Sequence, residues 1–329
     1  MTTLSSLCFE NLVFEGGGIK GVAYIGVLEA LNKLDKMKYV KKTIGTSVGS
    51  IFALLATMKC TDEQIDKYFC TLLNEMTKFH DNIFTEAENF INKMGLHSNE
   101  NMYNAVNLII NEMYGTNNIT FNQLYELTNT ELTVVATCLS TRKIAYFNHK
   151  TYPDMEVAKS IQISTSVPLF YTVTKWDNMI WVDGGIAENF PIEYFDNSDG
   201  AFNEHTLGFL FEYDAKKQHL YSVNNLLELF GGIENTLLDN NVRQSIKKTK
   251  NRFIIDIDTN DISSLDFNLP QEKLDFLRSQ GMKSTMEFFS ENYDDEQSCE
   301  QIDGKLVEIV NNEGFMDKLY SFLEKFKFW

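Results

Sequence analysis

Two glycine-bearing turns, each set between a short apolar strand and a helix, constrain this chain more than any other feature. The first follows Asn11–Glu15 (NLVFE) and reads Gly16-Gly17-Gly18-Ile19-Lys20-Gly21. Val22, Ile25, Val27, Leu28, Leu31 and Leu34 then recur at helical spacing. The second follows a strand over about Lys42–Thr46 and reads Gly45-Thr46-Ser47-Val48-Gly49, ahead of an apolar helix that runs to Met58. Strand–helix–strand–helix order requires crossover connections, hence parallel strands with helices packed on both faces of a sheet. The fold class expected is α/β, a three-layer α/β/α domain with a mostly parallel central sheet.

The second turn fits G-x-S-x-G with a strand before it and a helix after it, the context a nucleophile elbow requires. There Ser47 stands on a strained turn with its hydroxyl clear of the backbone, and a Cβ at Gly45 or Gly49 would crowd that turn. The helix that starts after Ser47 directs its positive end at the site, where an oxyanion would be stabilised. The first turn leaves backbone N–H groups exposed at a helix start, ready for an anion. Gly16–Gly21 also fits G-x-G-x-x-G, the dinucleotide fingerprint. That reading wants an acidic residue at the end of the next strand, yet the strand ends in Gly45-Thr46-Ser47 and Asp35 comes too early.

Composition narrows the partners. The formal net charge is −17, from 29 basic and 46 acidic residues. Phosphate contacts need a surplus of Lys and Arg, so nucleic-acid binding is not expected. An anionic membrane would repel the chain on average, so membrane contact must be local and apolar or assisted. Five scattered cysteines, Cys8, Cys60, Cys70, Cys138 and Cys299, form no C-x-x-C. They read as reduced thiols in an intracellular setting, not as a disulfide frame or a zinc site. The first residues lack the basic start and apolar core of a signal peptide. The longest apolar run near the elbow, Ile51–Ala56, is far below a membrane span. No H-E-x-x-H, EF-hand or Walker A pattern occurs, so no metal or other cofactor is expected. Asp256, Asp258 and Asp261 read as a solvated strand end, not as a calcium site.

Further along, helical spacing covers Thr61 to about Phe79 and Met102–Met113, with a polar excursion at Asp81–Asn101 between them. Thr120 is placed to cap a helix over Phe121–Leu127. Leu132–Cys138 and Lys143–Phe147 alternate like paired strands. Val157–Ile163 reads as a helix that stops before Ser164-Thr165-Ser166-Val167-Pro168. Met179–Val182 reads as a strand that ends at Asp183-Gly184-Gly185, with Asn189 and Pro191 beyond. Thr206–Glu212 and Arg252–Ile257 are further strands. Leu226–Lys250 and Glu272–Phe289 are helices, and an acidic break at Asp294–Glu300 precedes two short ones. The apolar stripe of Phe315–Trp329 fits packing on the domain better than docking on lipid.

Four pieces occur together and in order: GGGIKG at Gly16–Gly21, GTSVG at Gly45–Gly49, the S-x-S-x-P of Ser164–Pro168, and DGG at Asp183–Gly185. In this the chain resembles the patatin-like phospholipases, over roughly residues 9–290. The resemblance implies a Ser–Asp dyad, with Ser47 as nucleophile and Asp183 as base. It implies an oxyanion hole built from the amides of Gly17 and Gly18, with that of Val48. Lys20 would brace the loop or sit near a phosphate, and Gly16, Gly21, Gly45, Gly49, Gly184 and Gly185 would serve as motif glycines. The implied domain covers residues 1–292, with a helical extension over 293–329. The implied reaction is metal-free hydrolysis of fatty-acyl esters in membrane phospholipid or lysophospholipid. The thiols suit a cytoplasmic protein that touches membranes peripherally, and the acidic balance leaves room for a host activator. A general lipase or thioesterase, and a silent lipid-binding or interaction protein, are the alternatives. In a competing Ser-His-Asp triad the histidine would follow Asp183, leaving His205 or His219; His80, His97 and His149 precede it.

Overall fold

A computed structural model of the chain describes residues 8–76, 89–212, 252–260, 262–264, 266 and 269–290, with the isolated positions 232 and 236. The helix expected at Leu226–Lys250, apart from those two positions, and everything expected beyond residue 290 lie outside them, as do His80 and His219.

In chain order the first elements are β1 (Asn11–Phe14), α1 (Ala23–Lys33), β2 (Lys42–Thr46), α2 (Val48–Thr57) and α3 (Asp62–Met76). Then come β3 (Gly95–His97), α4 (Glu100–Tyr114), α5 (Phe121–Thr128), β4 (Glu131–Cys138), β5 (Lys143–Phe147) and α6 (Val157–Ser164). The last are β6 (Leu169–Tyr171), β7 (Thr174–Trp176), β8 (Met179–Asp183), β9 (Thr206–Phe211), β10 (Phe253–Ile257) and α7 (Gln271–Ser290). The protein is thus an α/β fold with a mostly parallel central sheet, as the alternation of elements predicts. β3, β6 and β7 are strands that periodicity does not reveal, because three residues are too few to show it.

β10, β9, β1, β2 and β4 pair side by side and parallel. Alternate residues of these strands serve two cores. Leu12, Phe14, Val134, Leu207 and Phe209 face the larger one, among the apolar stripes of the helices. Val13, Ile44, Val135 and Leu210 face the smaller one, closed by Phe190, Ile192 and Phe195 from the segment after β8. α1 and α7 press together so closely that a methyl on Gly281 would lie 1.8 Å from the Ala23 carbonyl oxygen.

The expected cap at Thr120 is present in reciprocal form. Its Oγ1 accepts the Gln123 N–H at 3.3 Å, and the Gln123 side chain accepts the Thr120 N–H at 2.9 Å. Thr120→Ala should cost about 1 kcal/mol, read as a lower urea midpoint with unchanged slope. An unchanged midpoint would show that the cap contributes nothing.

β4 organises the site through its two edges. β5 pairs antiparallel with Val134–Cys138 along one edge. β2 pairs parallel with Glu131–Val135, and β8 antiparallel with Ala136–Cys138. Because β5 overlaps both registers, β2 and β8 must share the other edge. They meet there tip to tip: Thr46 pairs with Val135, and Asp183 pairs with Ala136. β7 then flanks β8 antiparallel.

Candidate active site

The turn after β2 places Ser47 at φ 53° and ψ −128°, a conformation strained for a residue with a side chain. Its backbone is held on both sides. The Ser47 amide donates to Ser164 Oγ at 2.9 Å, and the Ser47 carbonyl accepts from the amide and hydroxyl of Ser50 at 2.8 and 2.6 Å. Gly45 and Gly49 are needed for space. A methyl on Gly45 would lie 2.1 Å from the Gly49 carbonyl oxygen, and one on Gly49 would lie 2.5 Å from that of Phe14.

Asp183 ends β8 and faces the elbow because the two strand tips converge on β4. Ser47 and Asp183 are only 9% and 4% exposed, so the pair lies out of bulk water. The Asp183 amide donates to the Ser166 carbonyl at 2.9 Å, and its Oδ1 accepts the Gly185 amide at 2.7 Å. Oδ2 is buried without a hydrogen bond, while the Ser47 hydroxyl lies close enough to favour the ionised carboxylate. That contact is looser than a hydrogen bond. Burial pushes the Asp183 carboxyl up to about 7, against the opposing pull of the Ser47 hydroxyl and the Gly185 amide. Gly184 packs beneath: a methyl there would lie 2.4 Å from the Val135 carbonyl oxygen.

The glycine loop lies against the same elbow. A methyl on Gly16 would come within 3.2 Å of Ser47 Cβ, and one on Gly21 within 2.3 Å of Val48 Cγ2. Gly17 is covered by the Phe211 ring, and Gly18 adopts φ +54°, a left-handed conformation natural to glycine. The loop is clamped from outside. The Gly16 amide donates to the Asn189 carbonyl at 3.1 Å, and Asn189 Nδ2 donates to the Gly16 carbonyl at 3.0 Å and to Glu15 Oε1 at 3.1 Å. Glu15 Oε2 accepts the Phe211 amide at 2.7 Å. Lys20 is half-buried beside the loop, its amide donating to the Gly17 carbonyl at 3.1 Å. Among the described residues, the amides of Gly17, Gly18 and Val48 donate to no protein acceptor.

The motif residues named from the sequence therefore converge on one place. The histidines do not. His205 precedes β9 where Thr206 pairs with Asn11, at the opposite end of the strands from Ser47. His149 stacks on Tyr125 with ring centroids 4.0 Å apart, and His97 lies in β3. Among the described residues, no histidine hydrogen-bonds Ser47 or Asp183. A cavity of about 600 Å³ opens elsewhere, at the start of α6, lined by Tyr103, Tyr152, Glu156, Lys159 and Trp176. The sequence reading overlooked the supports: Glu15, Asn99 and the separate tasks of Ser164 and Ser166. The S-x-S-x-P spacing was the available signal for the two serines; Asn99 and Glu15 carry none.

Comparison with known proteins places the chain in a family. A probable lipid hydrolase, 463L, of Invertebrate iridescent virus 6 is 30% identical over 188 residues, which span 56% of this chain and 62% of the relative. An uncharacterized protein of Acanthamoeba polyphaga mimivirus is 25% identical over 289 residues, 85% of this chain and 94% of that one. In fold the chain is similar to the crystal structure of VipD from Legionella pneumophila, with a TM-score of 0.56 at 16% identity, covering 87% of this chain and 67% of VipD. Residues 12–196, more than half of the chain and inclusive of both turns, the S-x-S-x-P segment and Asp183-Gly184-Gly185, match the family of patatin-like phospholipases, and the chain belongs to that family.

Proposed function

We propose that the protein is a serine acyl hydrolase that cleaves fatty-acyl esters of phospholipids or lysophospholipids with Ser47 and Asp183. The observation that carries this reading is the meeting of a serine on a strained, buried turn with a buried carboxyl that burial pushes up to about 7. A carboxylate is a weak base in water; raised to near neutrality in a dry site, it is matched to proton transfer at working pH.

In the first half-reaction Asp183 takes the Ser47 proton as Oγ bonds to the ester carbonyl carbon. The negative charge that forms on the carbonyl oxygen is held by the amides of Gly17 and Gly18, with that of Val48 at the start of α2. Collapse of this intermediate breaks the ester bond, and the departing alkoxide takes the proton from Asp183. Water then gives a proton to Asp183 as its oxygen bonds to the acyl carbon; collapse breaks the bond to Ser47 Oγ, which takes the proton back from Asp183, and the fatty acid is released. Peripheral contact with a membrane surface fits this substrate, and among the described residues no helix is long and apolar enough to cross a membrane.

Reaction with a fluorophosphonate, followed by peptide mass mapping, tests the assignment. One adduct on Ser47 is expected, and no adduct on Ser47 would overturn it in favour of a lipid-binding protein. Turnover of phosphatidylcholine, lysophosphatidylcholine and an acyl thioester then separates phospholipase from general lipase or thioesterase. The pH dependence is a second expectation. The base acts only when ionised, so turnover should rise with pH along a single limb centred near 7. A rate that is flat between about pH 5.5 and 8.5 would remove Asp183 as the base.

A further inference from the structure

The turn that follows α6 joins the two reacting residues. Ser164 Oγ accepts the Ser47 amide and donates to the Val135 carbonyl at 2.7 Å. Two residues later, the Ser166 carbonyl accepts the Asp183 amide. The spacing between nucleophile and base therefore depends on Ser164–Ser166 keeping one shape. A helix end lacks the hydrogen bonds that hold a helix interior, so such a turn needs an outside anchor.

Asn99 supplies that anchor from the excursion before α4. The two hydrogens of its Nδ2 are shared among Ser166 Oγ, Thr174 Oγ1 at 3.0 Å and the Gln162 carbonyl at 3.3 Å. Its Oδ1 accepts from Gln162 Nε2 at 3.1 Å. Ser166 Oγ in turn donates to the Gln162 carbonyl at 2.6 Å. Gln162 Oε1 accepts from Lys159 Nζ at 2.7 Å, which closes the network toward the surface. Asn99, Gln162, Ser166 and Thr174 are all buried. Both ends of the Asn99 amide are thereby engaged, and a buried, bonded network of this kind resists rearrangement. Thr174 belongs to β7, which flanks β8, so Asn99 ties the end of α6 to the sheet edge that carries Asp183.

We propose that Asn99 is a positioning residue for the Ser47–Asp183 pair: through Ser166 it sets where the end of β8 stands relative to the elbow. This rests on the acyl-hydrolase reading above. Asn99 touches neither reacting side chain, and no motif of the sequence points to it. A displacement of about 1 Å between reacting groups can cost on the order of 10² in rate. A plain structural role would lower stability and leave the rate of each folded molecule alone.

The experiment measures, in the full chain, the rate at which a fluorophosphonate labels Ser47 and the hydrolysis of a soluble short-chain ester, both as functions of pH. Asn99→Ala should lower both rates per folded molecule about 10- to 100-fold, with KM nearly unchanged and the midpoint of the pH limb displaced. Ser166→Ala should do the same, and the double variant should be no worse than the poorer single one, because both act through one contact. Asn148→Ala is the comparison. Asn148 is equally buried and bonded to Tyr194, Lys150 and Thr151, but it lies outside this network, so its loss should lower stability alone. Wild-type rates and an unshifted limb in Asn99→Ala would overturn the proposal while leaving the acyl-hydrolase reading intact. If Asn99→Ala does not fold, wild-type rates in both Ser166→Ala and Gln162→Ala would overturn it. Absence of Ser47 labelling in the wild type would overturn both readings together.

Discussion

Asp183→Asn is expected to stop ester turnover and at the same time to stabilise the protein above neutral pH. The amide cannot take the Ser47 proton, and loss of a positioned general base typically costs about 10²–10⁴ in rate. Ser47→Ala should fall at least as far, because the acyl-enzyme route disappears with the nucleophile. Fatty-acid release from mixed phospholipid vesicles, with EDTA present, is the measurement for wild type and both variants. Activity that survives Ser47→Ala would sink the mechanism. Activity that survives only in Asp183→Asn would leave the serine and remove the base.

The stability half of the expectation comes from the same burial. The folded chain holds the Asp183 proton up to about 7, while the unfolded chain releases it near 3.8. Between those values the folded state binds more protons than the unfolded one, so stability falls as pH rises and the full penalty is present above 7. At about 1.4 kcal/mol per pH unit, the penalty reaches at most about 4 kcal/mol. Asparagine keeps the shape and an acceptor for the Gly185 amide but carries no charge to desolvate. Asp183→Asn should therefore melt higher than wild type at pH 8 and alike at pH 4. Equal melting at pH 8 would show that Asp183 is not held against burial. Under the proposed function, a base that weakens its own fold is expected, because the site is built from strain and desolvation.

Gly45→Ala should destroy the elbow. The added methyl would lie 2.1 and 2.2 Å from the carbonyl oxygen and carbon of Gly49, and 2.6 Å from the Ser50 nitrogen. All three are backbone atoms of the first turn of α2, so no side chain can swing aside. Relief requires the strand or the helix to move, and either motion carries Ser47 with it. Overpacking of this kind costs about 3 kcal/mol or more, here with loss of activity. Gly115→Ala is the contrast. Its φ of +70° disfavours alanine, but nothing lies within 4 Å, so a cost of about 1 kcal/mol with full activity is expected. Urea unfolding of both variants distinguishes crowding from backbone strain. Wild-type stability in Gly45→Ala would mean that the strand and helix are not in the contact described.

Much of this protein is legible from local pattern. The glycine turn after β1, the strand–turn–helix around Ser47, the Thr120 cap and the α4, α6 and α7 helices follow from periodicity and end signals within a dozen residues. Those features depend on chemistry that neighbours in sequence supply to one another. The candidate residues Ser47 and Asp183 could be named because their turns carry recognisable glycines. Their meeting could not be derived from pattern. It depends on β2 and β8 approaching from opposite directions along the same edge of β4, a register set by pairings far apart in the chain. The sequence order of elements suggests parallel strands, and nothing in it says that β8 runs the other way. The raised Asp183 carboxyl, the buried clamp of Glu15 and Asn189 on the glycine loop, and the grip of Asn99 on Ser166 belong to the same class. Burial and hydrogen bonding between distant segments are properties of packing, and only the assembled sheet and helices decide them.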